Sequence, residues 1–138
     1  IVEGTIAIKD LPEIWNAKMQ EYLGIVPTND AKGVLQDIHW SHGSFGYFPT
    51  YSLGSFYAAQ LFAKAAEQIP NLTGEIENGN MAPLLNWLRE NIHQYGKFYT
   101  AGELCVKVTG EKLNFKYFMD YARNKYSKLY KLNKQAVS

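Results

Sequence analysis

An all-α fold, a helical bundle of about five helices, is what this sequence predicts, and three observations carry that expectation. Apolar residues recur at helical spacing over long stretches, as in Leu53, Phe56, Leu61, Phe62, Ala65 and Ile69. Helix punctuation recurs in the right order, with Asp, Asn or Thr ahead of such stretches and Gly or Pro behind them. Alternation of the β type is nearly absent: only Gly4 to Lys9, through Thr5, Ile6 and Ile8, leaves room for a short strand near the N-terminus.

Taken in order, the chain opens on Ile1 to Ile8, which reads as the end of one element and a connector, so a piece of a longer polypeptide is expected. A first helix spans Leu11 to Leu23. Asp10 is its expected N-cap, with Glu13 three residues on, Pro12 in the first turn and Gly24 past the end. Leu11, Trp15, Met19 and Tyr22-Leu23 form its core-facing stripe. Ile25 to Lys32 reads as a loop.

A long apolar helix follows from Thr50 or Tyr51 to the stop at Pro70, and its small side, Ala58, Ala59 and Ala63, suits a central position with close neighbours. Asn71 to Gly79 reads as a polar connector, one loose turn at most. Asn80 is the expected cap of a third helix, from Met81 to about Tyr95. Thr100 and Glu103 form a capping-box pattern for a short helix closed by Gly110. Asn114 is the expected cap of a last helix from Phe115 to about Leu132, with Phe118, Met119, Ala122, Tyr126 and Leu129 as its apolar stripe. Residues 1–132 thus read as one helical segment and 133–138 as a frayed tail.

With 138 residues, 46% of them apolar, the chain is long enough for one domain with a core. Its 14 basic and 13 acidic residues are spread along the sequence and leave a net charge of +1, which gives no electrostatic case for nucleic acid or an anionic membrane. No apolar run approaches the length of a membrane span. Cys105 has no second cysteine to pair with; within Leu104-Cys105-Val106 it reads as a small core residue, and a reducing cytoplasm is the expected location.

The chemistry concentrates in residues 33–51, where His39, His42, Asp37 and Gln36 are interleaved with Trp40, Phe45, Tyr47, Phe48 and Tyr51. Two imidazoles three residues apart can reach one metal, but a zinc site takes three or four ligands, and Gly43 and Gly46 argue against a continuous helix to present them. No metal site is therefore assigned within this chain; one imidazole reads as hydrogen-bonded and the other as exposed. Motifs for a metalloprotease helix, a nucleophile elbow, a phosphate loop or a CxxC pair are missing.

Gly33-Val34-Leu35-Gln36-Asp37-Ile38-His39-Trp40 fits the pattern GxxQDxHW, and it resembles the last signature of the thermostable (Taq-type) zinc metallocarboxypeptidases. The similarity takes in Asp10-Leu11-Pro12-Glu13-Ile14-Trp15-Asn16, Phe45-Gly46-Tyr47-Phe48-Pro49-Thr50-Tyr51-Ser52-Leu53-Gly54 and Trp87-Leu88-Arg89-Glu90-Asn91-Ile92-His93, and runs to about Leu132.

That resemblance implies the C-terminal part of a larger, mainly helical metallopeptidase, usually a homodimer, which hydrolyses C-terminal amino acids from peptides with broad specificity. It implies zinc held by an upstream HExxH motif and a further Glu, all absent from this chain, which alone is expected to be inactive. Its partners are then the peptide substrate and the rest of the same polypeptide. By motif match, Gln36, Asp37, His39 and Trp40 become candidates for orienting groups on the substrate side. Tyr51, and after it Tyr47, becomes the candidate catalytic phenol, donating to a tetrahedral intermediate or to the substrate's terminal carboxylate. An autonomous, non-catalytic helical interaction module is the competing expectation.

Overall fold

The computed structural model describes residues 1 and 3–132; the expected frayed tail, 133–138, lies outside the described residues. Six α-helices and five short 3₁₀ turns make up the regular structure, and no strand occurs among the described residues. The all-α expectation holds. The N-terminal strand does not: Gly4, at φ +72°, donates its N–H to the Ile1 carbonyl at 2.9 Å, which folds the backbone into a turn, and a 3₁₀ turn follows at Ile8–Asp10.

The chain divides into two compact units, Ile1–Tyr51 and Ser52–Ser138. In the first, α1 (Leu11–Leu23) has Pro12 in its opening turn and ends on Gly24, whose left-handed backbone lets its N–H reach the Gln20 carbonyl. Asp10 is not a side-chain cap, contrary to expectation. Its φ and ψ of −93° and −3° already belong to the preceding 3₁₀ turn, whereas a capping carboxylate needs an extended backbone to fold over the helix end. Leu11, Trp15 and Met19 are half-buried, and Tyr22 and Leu23 are exposed.

α2 (Pro49–Gln68) begins one residue before its expected start, with Pro49 in the first position, where a missing N–H costs nothing. Within the second unit, Ala65, Leu72 and Trp87 form the core cluster, with Ile69, Ile76, Leu84, Leu88, Ile92 and Val108 packed around it. Leu72 starts α3 (Leu72–Glu77), a two-turn helix where the sequence suggested only a connector. Its polar composition hides one decisive residue, because Leu72 is 2% exposed and anchors the segment to the core.

α4 (Ala82–Asn91) stops short of Tyr95 and hands over to a separate 3₁₀ turn, His93–Tyr95. Asn80 makes only a long contact to the Ala82 N–H, 3.4 Å, and Met81 occupies the cap position instead. The Trp87 indole donates to Gln68 Oε1 at 2.6 Å, which satisfies the polar atom of the buried ring.

α5 (Ala101–Thr109) carries the expected capping box: the Thr100 hydroxyl accepts from the Glu103 N–H, while the Glu103 carboxylate accepts from the Thr100 N–H at 2.8 Å. Gly110 closes it at φ +87°. Cys105 is buried, as read from the sequence. α6 (Lys116–Leu129) is shorter than expected at both ends, although Asn114 Oδ1 does accept from the Lys116 N–H at 3.0 Å.

Gln60 joins these elements. It is fully buried on α2, and its amide donates to Thr109 Oγ1 and the Lys112 carbonyl, each at 3.1 Å, while its oxygen accepts from the Asn114 N–H at 2.8 Å. One side chain thus satisfies three groups, one at the end of α5 and two in the turn before α6. Phe56 adds edge-on contacts with Phe115 and Phe118, ring centres 4.8 and 5.0 Å away. Beyond these contacts α2 buries only Gln60 and Ala65 completely and α6 buries no residue, so neither helix is as enclosed as its apolar stripe suggested. No helix among the described residues is long and apolar enough to cross a membrane.

Candidate functional site

The segment after α1 is shaped by three successive 3₁₀ turns, Asp30–Lys32, Val34–Gln36 and Ile38–His42. Asn29 caps the first by accepting from the Lys32 N–H at 3.0 Å. Gly33 lies in a tight passage between the first two: a Cβ there would stand 3.2 Å from Pro27 Cβ and 3.3 Å from the Asn29 carbonyl. Val34, 5% exposed, anchors the segment inward. Asp37 then caps the third turn with Oδ1, which accepts from the His39 N–H at 3.0 Å.

The same oxygen lies 2.6 Å from His39 Nδ1. A carboxylate can only accept, so Nδ1 carries the proton and Nε2 is left as the basic nitrogen of the ring. The two side chains are 10% and 12% exposed, Asp37 and His39 respectively. Burial pushes the Asp37 carboxyl up, but the side-chain and backbone hydrogen bonds from His39, with the electrostatic influence of the neighbouring His39 and His42 rings, outweigh it and hold the group below its ordinary value.

Around this imidazole stands an aromatic cluster. Ring centres of Tyr47, Phe48 and Tyr51 lie 5.2, 5.4 and 5.8 Å from that of His39, and Tyr47 meets Tyr51 edge-on at 5.7 Å. The start of α2 produces this grouping. Thr50 donates both its N–H and its hydroxyl to the Tyr47 carbonyl, at 2.9 and 2.7 Å, so the chain turns into the helix just where the phenols stand. Both phenols remain exposed.

Of the sequence candidates, the fold therefore brings together Asp37, His39, Tyr47 and Tyr51. Gln36 and Trp40 turn elsewhere. Gln36 donates its amide back to the Ala31 carbonyl. Trp40 packs against Trp15 and Phe45, ring centres 6.2 and 6.3 Å away, and ties the third turn to α1. Phe48 is the member that sequence reasoning missed; its spacing three residues before Tyr51 at a helix start was the available signal. His42 is exposed, with its ring centre 5.8 Å from that of His39.

Chemically, the cluster offers an imidazole of fixed orientation and two phenolic donors suited to a carboxylate or a developing oxyanion. Among the described residues no three of His, Cys, Asp and Glu converge as metal ligands. Asp37 is already committed to His39, and a metal held here would lack a complete donor set.

Known proteins resemble this chain over most of its length. The family model described as carboxypeptidase Taq (M32) metallopeptidase matches residues 1–126. Carboxypeptidase 1 of Bacillus subtilis (strain 168) is 47% identical over 132 residues, 96% of this chain but 26% of that protein. A solved structure named "The Structure of CHT" is 60% identical with a TM-score of 0.86, covering 90% of this chain and 25% of the other. The crystal structure of the M32 carboxypeptidase from Deinococcus radiodurans R1 is 35% identical with a TM-score of 0.89, covering 95% of this chain and 27% of the other. The chain spans about a quarter of the length of the relatives it matches. A family match that covers nearly the whole chain, carrying the GxxQDxHW residues with it, means that this chain belongs to the carboxypeptidase Taq (M32) metallopeptidases.

Proposed function

We propose that the polypeptide of which this chain forms a part is a zinc-dependent carboxypeptidase that releases C-terminal amino acids from peptides with broad specificity. The observation that carries this reading is the Asp37–His39 pair set against Tyr47 and Tyr51, on a chain that belongs to a metallopeptidase family. Among the described residues no donor set fits a zinc ion, so the metal would be held by other parts of the polypeptide, where it would supply Lewis-acid chemistry for peptide hydrolysis.

This segment provides the substrate side. Asp37 holds the proton on His39 Nδ1 and fixes the ring, so His39 presents one defined nitrogen toward neighbouring groups. Tyr51, with Tyr47 as the second phenol, donates an O–H to the substrate's terminal carboxylate or to the oxyanion formed from its carbonyl. Phe48 packs its ring against the His39 imidazole and adds apolar surface beside these donors. The lone buried thiol suits a reducing cytoplasm, and a homodimer is the assembly in keeping with the family.

The test is an assay of the full-length polypeptide on one peptide with either a free or an amidated C-terminus. Release of the terminal residue from the free form only, abolished by a chelator and restored by zinc, is the expected result. Equal cleavage of the amidated peptide, or no release with zinc present, overturns the reading.

A further inference from the structure

The imidazole of His42 has no part in the roles assigned above. It ends the third 3₁₀ turn, Ile38–His42, and the backbone ties it to His39. Gly43, at φ +80°, reverses the chain so that the Ser44 N–H reaches the His39 carbonyl at 3.0 Å. The two imidazoles meet edge-on with ring centres 5.8 Å apart, the same separation as that between His39 and Tyr51. We propose that His42 is a specificity-determining residue, whose imidazolium pairs with the side-chain carboxylate of a C-terminal Asp or Glu in the peptide substrate.

The first support is availability. His39 is committed to Asp37 through its ring and its backbone, whereas His42 makes no hydrogen bond or ion pair among the described residues and is exposed. The second is charge. From Gly33 to Tyr51 the sequence holds no Lys, Arg or Glu, and Asp37 is its one Asp. The titratable groups around His42 in this segment are therefore Asp37, His39, Tyr47 and Tyr51. With His42 neutral, the charge of Asp37 disfavours an acidic ligand; with His42 protonated, a cation stands within electrostatic reach of that carboxylate and offsets it.

The third support is placement. Tyr47, Tyr51 and His42 all border the same His39 ring, so the cation stands beside the phenolic donors rather than on a remote surface. A C-terminal Asp or Glu carries two carboxylates a few bonds apart, one for the phenols and one for the imidazolium. The inference rests on the carboxypeptidase reading and adds a bias within its broad specificity.

The test uses the full-length polypeptide and two blocked peptides that are identical except for a C-terminal Glu or Gln, at about pH 6, where an ordinary imidazole is largely protonated. The ratio of kcat/KM for Glu over Gln cancels any general loss of activity in a variant. Wild type is expected to favour Glu by about fivefold, the scale of one exposed charge pair. His42→Gln, which keeps a donor without the charge, is expected to lose that preference, and His42→Lys, which restores a cation, to regain it. Equal kcat/KM for the two peptides in wild type, or a preference that His42→Gln retains, overturns the role of His42 while leaving the carboxypeptidase reading intact. Failure of wild type to release either residue overturns that reading and this inference with it.

Discussion

One oxygen of Asp37 holds His39 at two points, its backbone N–H at 3.0 Å and its ring Nδ1 at 2.6 Å. The double contact is local, spanning two residues, so the imidazole is oriented by the turn itself rather than by distant packing. It makes the phenols beside it testable one at a time.

Tyr51→Phe in the full-length protein removes a single donor while keeping the ring that packs against His39. Turnover of a peptide substrate is expected to fall by about 10- to 1000-fold, with metal content unchanged. Steady-state kinetics with metal analysis on the same sample decides it; wild-type turnover by the variant would remove the assigned role.

Acid should weaken the Asp37–His39 contact. The folded-state carboxyl lies below its ordinary value, so the stability it contributes is fully present above the unfolded-state pKa and is lost as pH falls through the folded-state one. Thermal unfolding of wild type and Asp37→Asn is expected to differ at near-neutral pH, and the two are expected to converge below about pH 4, in the carboxylate range. A difference that persists unchanged into acid contradicts the charged contact.

Gln60→Leu keeps the volume and deletes three hydrogen bonds at a site that is completely buried. The Asn114 N–H and the Lys112 carbonyl then lose their partner, at an expected cost of about 2–4 kcal/mol, read from urea unfolding. A loss under about 0.5 kcal/mol means that the turn between α5 and α6 does not depend on this amide.

Thr100→Ala removes the hydroxyl of the capping box at α5, while Thr100→Ser retains it. The first is expected to destabilise by about 1 kcal/mol, whereas the second is expected to keep the wild-type stability. A Thr100→Ala denaturation midpoint equal to that of wild type contradicts a role for the cap.

Local signals account for what the sequence determined alone. The capping box at Thr100 and Glu103, the left-handed glycines at 24 and 110, and helical apolar spacing each act within a turn or two, so five of the six helices were legible, with the ends uncertain by a few residues. Asp37 and His39 became candidates by match to a family motif; that the carboxylate accepts from the imidazole two residues on is what the structure adds.

Only tertiary structure decided the rest. α3 forms because Leu72 finds Ala65 and Trp87, a contact that no polar tract announces. Asp10 loses its capping role to a preceding turn, and Trp40 leaves the imidazole for Trp15, 25 positions earlier in the chain. Phe48 joins the site because the chain enters α2 at that point. Periodicity and caps are set by neighbouring backbone, whereas which ring meets which depends on residues brought together by folding.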